Sequence, residues 1–166
     1  MDQIKLPARK ISDEVDVGYA LQKRASCRNY DKKPISLQQL ANILWAGQGV
    51  VSHSFNIRRT APSAGATFPL EIMVAVREKG VYGVDKGIYQ YSPEDHTLQK
   101  VNSRDVTQEL VEVCFNQEFI QNAGVNILIA ADYKRTEERY ASRGERYVHM
   151  EAGSATQNIS LEAVEL

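Results

Sequence analysis

The stretch from Val148 to Leu166 constrains the fold most, because it predicts a long helix with little polar surface. Its apolar residues recur every three or four positions, as on one face of an α-helix. They are Val148, Ala152, Ala155, Ile159, Ala163 and Leu166. Small residues such as Gly153 and Ser160 lie between them, so the rest of the surface is also weakly polar. Such a helix is expected to be central, and its small residues would let another helix approach closely.

Two helices are expected in the first third of the chain. Asp16 can cap a helix whose apolar positions recur up to Arg24. A second helix follows Ser36, because Ser36 and Gln39 have the spacing of a capping box. Its inward face is formed by Leu37, Leu40, Ala41, Leu44 and Gln48.

Two apolar segments, Leu70–Val76 and Val125–Ala131, predict buried strands. Between them, 87–91 and 97–101 flank a turn-rich stretch and predict a β-hairpin. A helix over 104–114 is expected to follow the hairpin. Its inward residues would be Val106, Leu110 and Val113. The charged residues from Lys134 to Glu145 are expected to be solvated.

The composition is that of an ordinary soluble domain. The chain has 166 residues, of which 43% are hydrophobic and 25% charged, and its formal net charge is -1. Because lysines and arginines form no dense block, no nucleic-acid or membrane-surface partner is expected. No apolar stretch reaches the length of a membrane-spanning helix, and the N-terminus has no signal-peptide pattern.

The cysteines and histidines give no sign of a metal or hydrolase site. Cys27 and Cys114 are far apart, which favours two unpaired thiols in a reducing, cytoplasmic compartment. The histidines are isolated in sequence: His53, His96 and His149. The phosphate-binding P-loop, the serine-hydrolase elbow and the zinc-protease motif are all missing from the sequence.

A cluster of basic and hydroxyl residues follows the first predicted helix: Arg24-Ala25-Ser26-Cys27-Arg28. In an extended chain, Arg24, Ser26 and Arg28 share one side of the backbone. Guanidinium groups match phosphate oxygens in pairs, so these residues could bind a phosphate group. A helix C-terminus does not attract an anion, and side-chain charge would have to hold it. By spacing alone, a solvated charged face is the commoner interpretation.

A row of small residues lies in the loop between residues 52 and 68: Ala61-Pro62-Ser63-Ala64-Gly65-Ala66. Small side chains leave the backbone accessible, so a flat ring could contact its N–H and C=O groups. A plain tight turn explains the same residues, and from the pattern alone it is the favoured interpretation.

Four segments together resemble the nitroreductase family of FMN enzymes, in the branch related to the azoline (thiazole/oxazole) dehydrogenases. Arg24–Arg28 resembles the family's Arg-x-Ser-x-Arg phosphate motif, and Arg59–Gly65 is similar to its Pro-Ser-Ala-Gly flavin loop. Gly87–Pro93 resembles the branch's Gly-x-Tyr-x-Tyr hairpin, and 151–166 resembles its central helix. The segments occur in the family's order and cover nearly the whole chain from Asp16 onward.

The resemblance implies a three-layer α+β fold with a central, mostly antiparallel sheet packed by helices. A long central helix would form a homodimer with FMN at the subunit interface. The activity implied is hydride transfer from NADH or NADPH through FMN to a small-molecule acceptor, such as a nitroaromatic compound or quinone, or an azoline-type dehydrogenation. The cofactor-binding residues would be Arg24, Ala25, Ser26 and Arg28 at the phosphate and Pro62, Ser63, Ala64 and Gly65 at the ring. No acid-base residue is assigned.

Two departures from the family pattern affect these expectations. Ala66 stands where many members carry Asn, so a polar flavin contact would be missing or replaced. Family members also continue past the central helix into a Gly-rich turn and a last strand. The single domain of residues 1–166 is therefore expected to lack that C-terminal part. This favours one alternative, a flavin-binding dimeric partner subunit without turnover of its own. A member that converts flavin itself into another product is a third possibility, for which the sequence shows no signature.

Overall fold

The structure, a computed structural model, describes residues 3–10, 16–31, 33–52 and 57–165. The strands in these ranges are β1 (Gln3–Lys5), β2 (Val50–Ser52), β3 (Arg58–Arg59), β4 (Leu70–Val76), β5 (Gly87–Ser92), β6 (Thr97–Asn102) and β7 (Val125–Ala131). The helices are α1 (Val17–Lys23), α2 (Leu37–Gln48), α3 (Thr107–Val113), α4 (Phe119–Asn122), α5 (Lys134–Tyr140) and α6 (Gly144–Glu165). His53 and Leu166, which enter the sequence analysis, lie outside the described residues.

Five strands form an antiparallel sheet in the order β1-β6-β5-β4-β7. The predicted hairpin is present as β5 and β6. Both predicted strands are also present, as β4 and β7, and they pair with each other from Leu70↔Ala131 to Val76↔Val125. β2 and β3 form a separate two-stranded ribbon just before the small-residue loop. The α+β class with a mostly antiparallel sheet is confirmed.

Helix α2 covers one face of the sheet. It begins with the predicted capping box, in which Ser36 Oγ accepts from Gln39 N at 3.1 Å and Gln39 Oε1 accepts from Ser36 N at 2.8 Å. Leu40 and Leu44 are completely buried in the core between α2 and the sheet. The helix ends at Gln48, whose side chain is also buried, with Gly49 as its cap.

Helix α6 packs on α2 and also contacts α1 and α5. Val148 and Ala155 are buried, and Ile159 lies so close to Gly47 of α2 that a Cβ there would be 3.0 Å from its Cδ1 atom. The close approach of α6 to α2 therefore depends on Gly47. A Cβ added to Gly153 would meet no atom of the described residues within 4 Å, so α6 has open space beside this position.

Two expectations about burial and one about a helix start need correction. β7 is an edge strand and only half-buried, with Leu128 36% exposed, because no strand pairs with its outer side among the described residues. In α3, Val113 is 72% exposed, and Val111 is buried instead. The helix starts at Thr107, later than the pattern predicted.

The N-terminal segment is an element that the sequence analysis did not predict. β1 pairs with β6, and Leu6 is buried in the core. Arg9 then lies 4.5 Å from the centre of the Trp45 ring and pairs with Glu162 of α6 at 3.1 Å. The segment therefore connects the sheet to both central helices. Among the described residues, no helix is long and apolar enough to span a membrane.

The capping box of α2 gives a stability prediction. Ser36→Ala leaves the Gln39 N–H without its side-chain acceptor, and we expect it to lower the free energy of unfolding by about 1 kcal/mol. Ser36→Asp keeps an acceptor at the same position and should stay close to wild type. Urea denaturation measures both variants. An equal loss in the alanine and aspartate variants would show that the cap does not stabilise α2.

Candidate functional site

The basic segment follows α1, as predicted, and has no helix or strand. Arg24 is the C-terminal cap of α1, and its backbone N–H donates to Ala20 O at 2.9 Å. The side chains of Arg24, Ser26 and Arg28 are all exposed. Arg28 lies 5.6 Å from the centre of the Phe119 ring of α4. Among the described residues, neither arginine forms an ion pair with a carboxylate, so both charges are available to an anion.

The small-residue loop contains the tight turn that its sequence favours. Ala64–Ala66 form a short 3-10 turn, and positive φ angles occur at Gly65 (59°), Ala66 (54°) and Phe68 (44°). A Cβ at position 65 would lie 2.7 Å from Tyr140 Oη and 2.8 Å from Arg139 Nε. Glycine is therefore favoured at this position by its positive φ angle, and a larger residue would also displace the side-chain ends of Arg139 and Tyr140.

Helix α5 holds this loop in place through hydrogen bonds. Arg139 donates to Gly65 O at 2.9 Å, Arg135 donates to Phe68 O at 3.0 Å, and the hydroxyls of Thr67 and Thr136 are 2.9 Å apart. The segment expected to be merely solvated thus fixes the carbonyl groups of the loop. Pro62 and Gly65 remain exposed, so the loop is held from inside while its outer edge faces solvent.

Arg59 links the loop to the rest of the fold. Its side chain is 9% exposed and lies 4.4 Å from the centre of the Phe68 ring. One guanidinium nitrogen donates to Gln48 Oε1 of α2 at 2.9 Å, and the other contacts Glu94 Oε1 at the tip of the β5–β6 hairpin at 2.5 Å. Three elements distant in sequence therefore meet at one buried cation.

A buried carboxylate, Glu151 of α6, lies beside this cluster and is 3% exposed. Burial raises its pKa above the usual range of a glutamate. The neighbouring side chains of Ser63 and Gln48 and the charge of Arg59 oppose that rise because they favour the ionised form. Among the described residues, Glu151 Oε1, Gln48 Nε2 and Arg59 Nε are buried without a hydrogen-bond partner.

A cavity of about 420 Å³ opens next to Arg59, and residues of β4 and of the β5–β6 hairpin line it. Its polar wall includes Arg59, Glu94, Arg135 and Glu71. Each of these arginines already contacts a carboxylate, Arg59 that of Glu94 and Arg135 that of Glu71. The wall is therefore polar without a strong excess of either charge.

The sequence analysis did not select Gln48, Arg59 or Glu151 as site residues. Two of them did carry a signal. Gln48 is the polar residue on the otherwise apolar face of α2, and Glu151 lies one turn before Ala155 on the buried side of α6. Because a polar side chain on a buried helix face needs a hydrogen-bond partner, these two positions indicate a buried polar cluster.

The comparisons with known proteins agree with this architecture. A model of the nitroreductase family matches residues 21–166. A nitroreductase-like protein of Methanocaldococcus jannaschii is 43% identical over 154 residues, which are 93% of this chain and 76% of that protein. The family match includes all the proposed cofactor-binding residues, from Arg24 to Gly65.

Three solved structures share the fold. A nitroreductase-like protein of Anabaena variabilis has a TM-score of 0.81 at 25% identity, and one of Ralstonia eutropha has 0.78 at 26%. The matches cover 98% and 97% of this chain but 34% and 70% of those chains. A chain of the Escherichia coli microcin synthetase McbBCD complex, solved with truncated pro-MccB17 bound, has a TM-score of 0.68 at 21% identity. This match covers 96% of the present chain and 62% of that chain. The predicted nitroreductase-like fold is confirmed.

Arg59 gives the second testable prediction. Arg59→Ala leaves the buried Gln48 amide without its donor and exposes the Phe68 ring, so we expect a loss of about 2–3 kcal/mol in the free energy of unfolding. Arg104→Ala is the matched control, because Arg104 contacts Glu109 at 2.6 Å but is 71% exposed. The control should lose less than about 1 kcal/mol. Similar losses in urea denaturation of the two variants would contradict the central role of Arg59.

Proposed function

The chain belongs to the nitroreductase family, and from this we propose that it is an FMN-dependent oxidoreductase that moves a hydride from NADH or NADPH through the flavin to a small-molecule acceptor. Family membership supports an oxidoreductase that uses a flavin. The acceptor classes we propose are nitroaromatic compounds and quinones. An azoline-type dehydrogenation is a second candidate, supported by the fold shared with the microcin synthetase complex.

The observation that carries the proposal is the uncompensated charge of Arg24 and Arg28. Arg24 and Arg28 stand on either side of Ser26 in an exposed segment, and neither has a carboxylate partner among the described residues. A phosphate monoester accepts paired hydrogen bonds from such groups. The donor set therefore fits the phosphate of FMN, with Arg24, Ala25, Ser26 and Arg28 holding it.

The loop fits the other end of the cofactor. Pro62, Ser63, Ala64 and Gly65 present an outer edge with little side-chain bulk, and α5 and Arg59 hold that edge in place. A flat ring could pack against it and bond its peptide groups. We propose that these four residues line the isoalloxazine ring.

We propose a homodimer with FMN at the interface between subunits. The surface of α6 supports this arrangement, since Met150 is largely exposed and a Cβ at Gly153 would meet no atom of the described residues within 4 Å. Exposed apolar residues of α1, such as Val17 and Leu21, provide further uncovered surface. A partner chain that covers these residues would bury apolar area.

The chain's own residues have limited tasks in this mechanism. Bound FMN would supply the two-electron chemistry. Arg24 and Arg28 would bind and orient the phosphate, and the loop of 62–65 would fix the plane of the ring. No residue is assigned to proton transfer.

Absorption spectroscopy of the purified protein with added FMN tests the proposal. We expect protein-bound flavin bands near ~450 nm that bleach when NADH or NADPH is added without oxygen. Reoxidation by a nitroaromatic compound, a quinone or an azoline-containing peptide then identifies the acceptor class. Bound flavin that neither nucleotide reduces would favour the partner subunit without turnover. A protein that takes up no FMN would contradict both assignments.

Arg28 gives a direct test of the phosphate site. Arg28→Ala removes a charged donor, and we expect FMN binding to weaken by about 1.5–3 kcal/mol, or roughly 10- to 150-fold in the dissociation constant. Arg104→Ala removes the same charge from an exposed position at a different place in the fold and serves as the control. Flavin fluorescence quenching measures both constants. An unchanged constant in Arg28→Ala would remove Arg28 from the site.

A further inference from the structure

We propose that Phe119 of α4 is a positioning residue for Arg28: its ring holds the guanidinium group by a cation–π contact and leaves the N–H groups of that guanidinium to an anion. The effect on cofactor binding rests on the proposed function, because that function assigns Arg28 to the phosphate of FMN. The contact between the two side chains does not depend on that function, since both belong to this chain.

Arg28 has an aromatic partner in place of an acidic one. Its Cζ atom lies over the Phe119 ring, 5.6 Å from the ring centre and within the ~6 Å range of cation–π contacts. Among the described residues, it forms no ion pair with a carboxylate. A carboxylate would occupy the N–H donors of the guanidinium, whereas a ring attracts the cation without using them. The contact with Phe119 therefore orders the side chain and preserves its capacity to bind a phosphate.

Tyr30 contacts the same ring. The ring centres of Tyr30 and Phe119 are 6.3 Å apart and the ring planes are tilted by 57°, an arrangement typical of aromatic pairs. Burial raises the pKa of the Tyr30 hydroxyl, as expected for a side chain that packs against the fold. Arg28 and Tyr30 stand two residues apart in a stretch without helix or strand. Phe119 is therefore joined to this irregular segment at two points.

The position of Phe119 is fixed by neighbouring regular structure. Phe119 is half-buried and is the first residue of α4, which contacts α3. The carbonyl oxygen of the next residue, Ile120, accepts a hydrogen bond from Asn126 Nδ2 of β7 at 3.4 Å. β7 is paired with β4 along its whole length. The ring thus has a defined place at the edge of the sheet, and its contact with Arg28 gives the guanidinium group a defined place as well.

The two arginines of the basic segment differ in this respect. Arg24, the cap of α1, has no cation–π contact with an aromatic ring among the described residues. Arg28 is exposed but already held by Phe119. A side chain that is partly ordered before binding loses less conformational entropy when the ligand arrives. Phe119 therefore makes Arg28 the better prepared of the two phosphate donors.

The first test is nuclear magnetic resonance of the full chain without FMN. An aromatic ring moves the signals of protons held over its face upfield. We expect the Nε–H proton signal of Arg28 to move downfield in Phe119→Leu, which keeps an apolar side chain but removes the ring. Phe119→Tyr keeps the ring face and should leave the signal near its wild-type position. Phe115→Leu is the matched control, because Phe115 lies on the same surface segment and is 90% exposed.

The position of the Arg28 signal decides whether Phe119 holds this side chain. An unchanged signal in Phe119→Leu, or an equal displacement in Phe115→Leu, would overturn the proposal. If Phe119→Leu does not fold, Phe119→Met replaces it, since the flexible methionine side chain adapts to the space of the ring. The same two outcomes then apply.

The second test compares FMN with riboflavin, which has the same ring system but no phosphate. Flavin fluorescence quenching measures both dissociation constants. We expect Phe119→Leu to weaken FMN binding about 2- to 5-fold and to leave riboflavin binding unchanged. Phe119→Tyr should restore FMN binding. In a double variant with Arg28→Ala, Phe119→Leu should cause no further loss, because the residue that it positions is already absent.

These binding constants separate the positioning role from a general effect on the fold. Equal losses for FMN and riboflavin, or an additional loss in the double variant, would show that Phe119 acts independently of Arg28 and would overturn the proposal. If riboflavin binds too weakly to be measured, the double variant decides. If the wild type binds no FMN, the proposed function fails, and the Arg28 signal still shows whether Phe119 positions this side chain.

Discussion

The position of the small-residue loop depends on one buried cation, Arg59. Its guanidinium group lies on the Phe68 ring and bonds side chains from α2 and from the β5–β6 hairpin. A guanidinium group is tolerated in such a place because its flat face packs on an aromatic ring while its edge donates hydrogen bonds. Arg59 thus gives the loop a fixed place relative to both the helix and the sheet, although the loop has few large side chains of its own.

Ala61 at the start of the loop packs among apolar residues, Leu70, Val148 and Ala155. The outer part of the loop, Pro62 to Ala66, is held by polar bonds, and this has a structural reason. Pro62, Gly65 and Ala66 are exposed, so the loop buries little apolar surface that could hold it. Its conformation also includes positive φ angles at Ala66 and Phe68, which non-glycine residues adopt at a cost. Bonds from α5 to its carbonyl groups offset this cost. The result is an accessible backbone that is already ordered, as a binding site for a flat ring requires.

Most of the regular structure could be predicted from the sequence, because its signals are local. The capping box at Ser36 and the apolar run of β4 each act over a few residues, and both are present as expected. The burial of β7 could not be predicted in the same way. An apolar run indicates a strand, but its burial depends on which elements cover it, and β7 lies at an edge. The role of α5 was missed for a related reason, since its arginines bond backbone groups about 70 residues away.

The two parts of the proposed cofactor site differ in how far they are ordered before the cofactor binds. The loop of 62–65 is braced by α5 and Arg59, so little conformational entropy remains to be lost there. The basic segment has no regular structure, and Arg24 and Arg28 are exposed at the C-terminal end of α1, where the helix dipole does not attract an anion. Ordering those two side chains therefore reduces the free energy gained from their charge. In the proposed function, the loop determines the orientation of the ring. The arginines contribute an electrostatic attraction that offsets the entropic cost of ordering their own side chains.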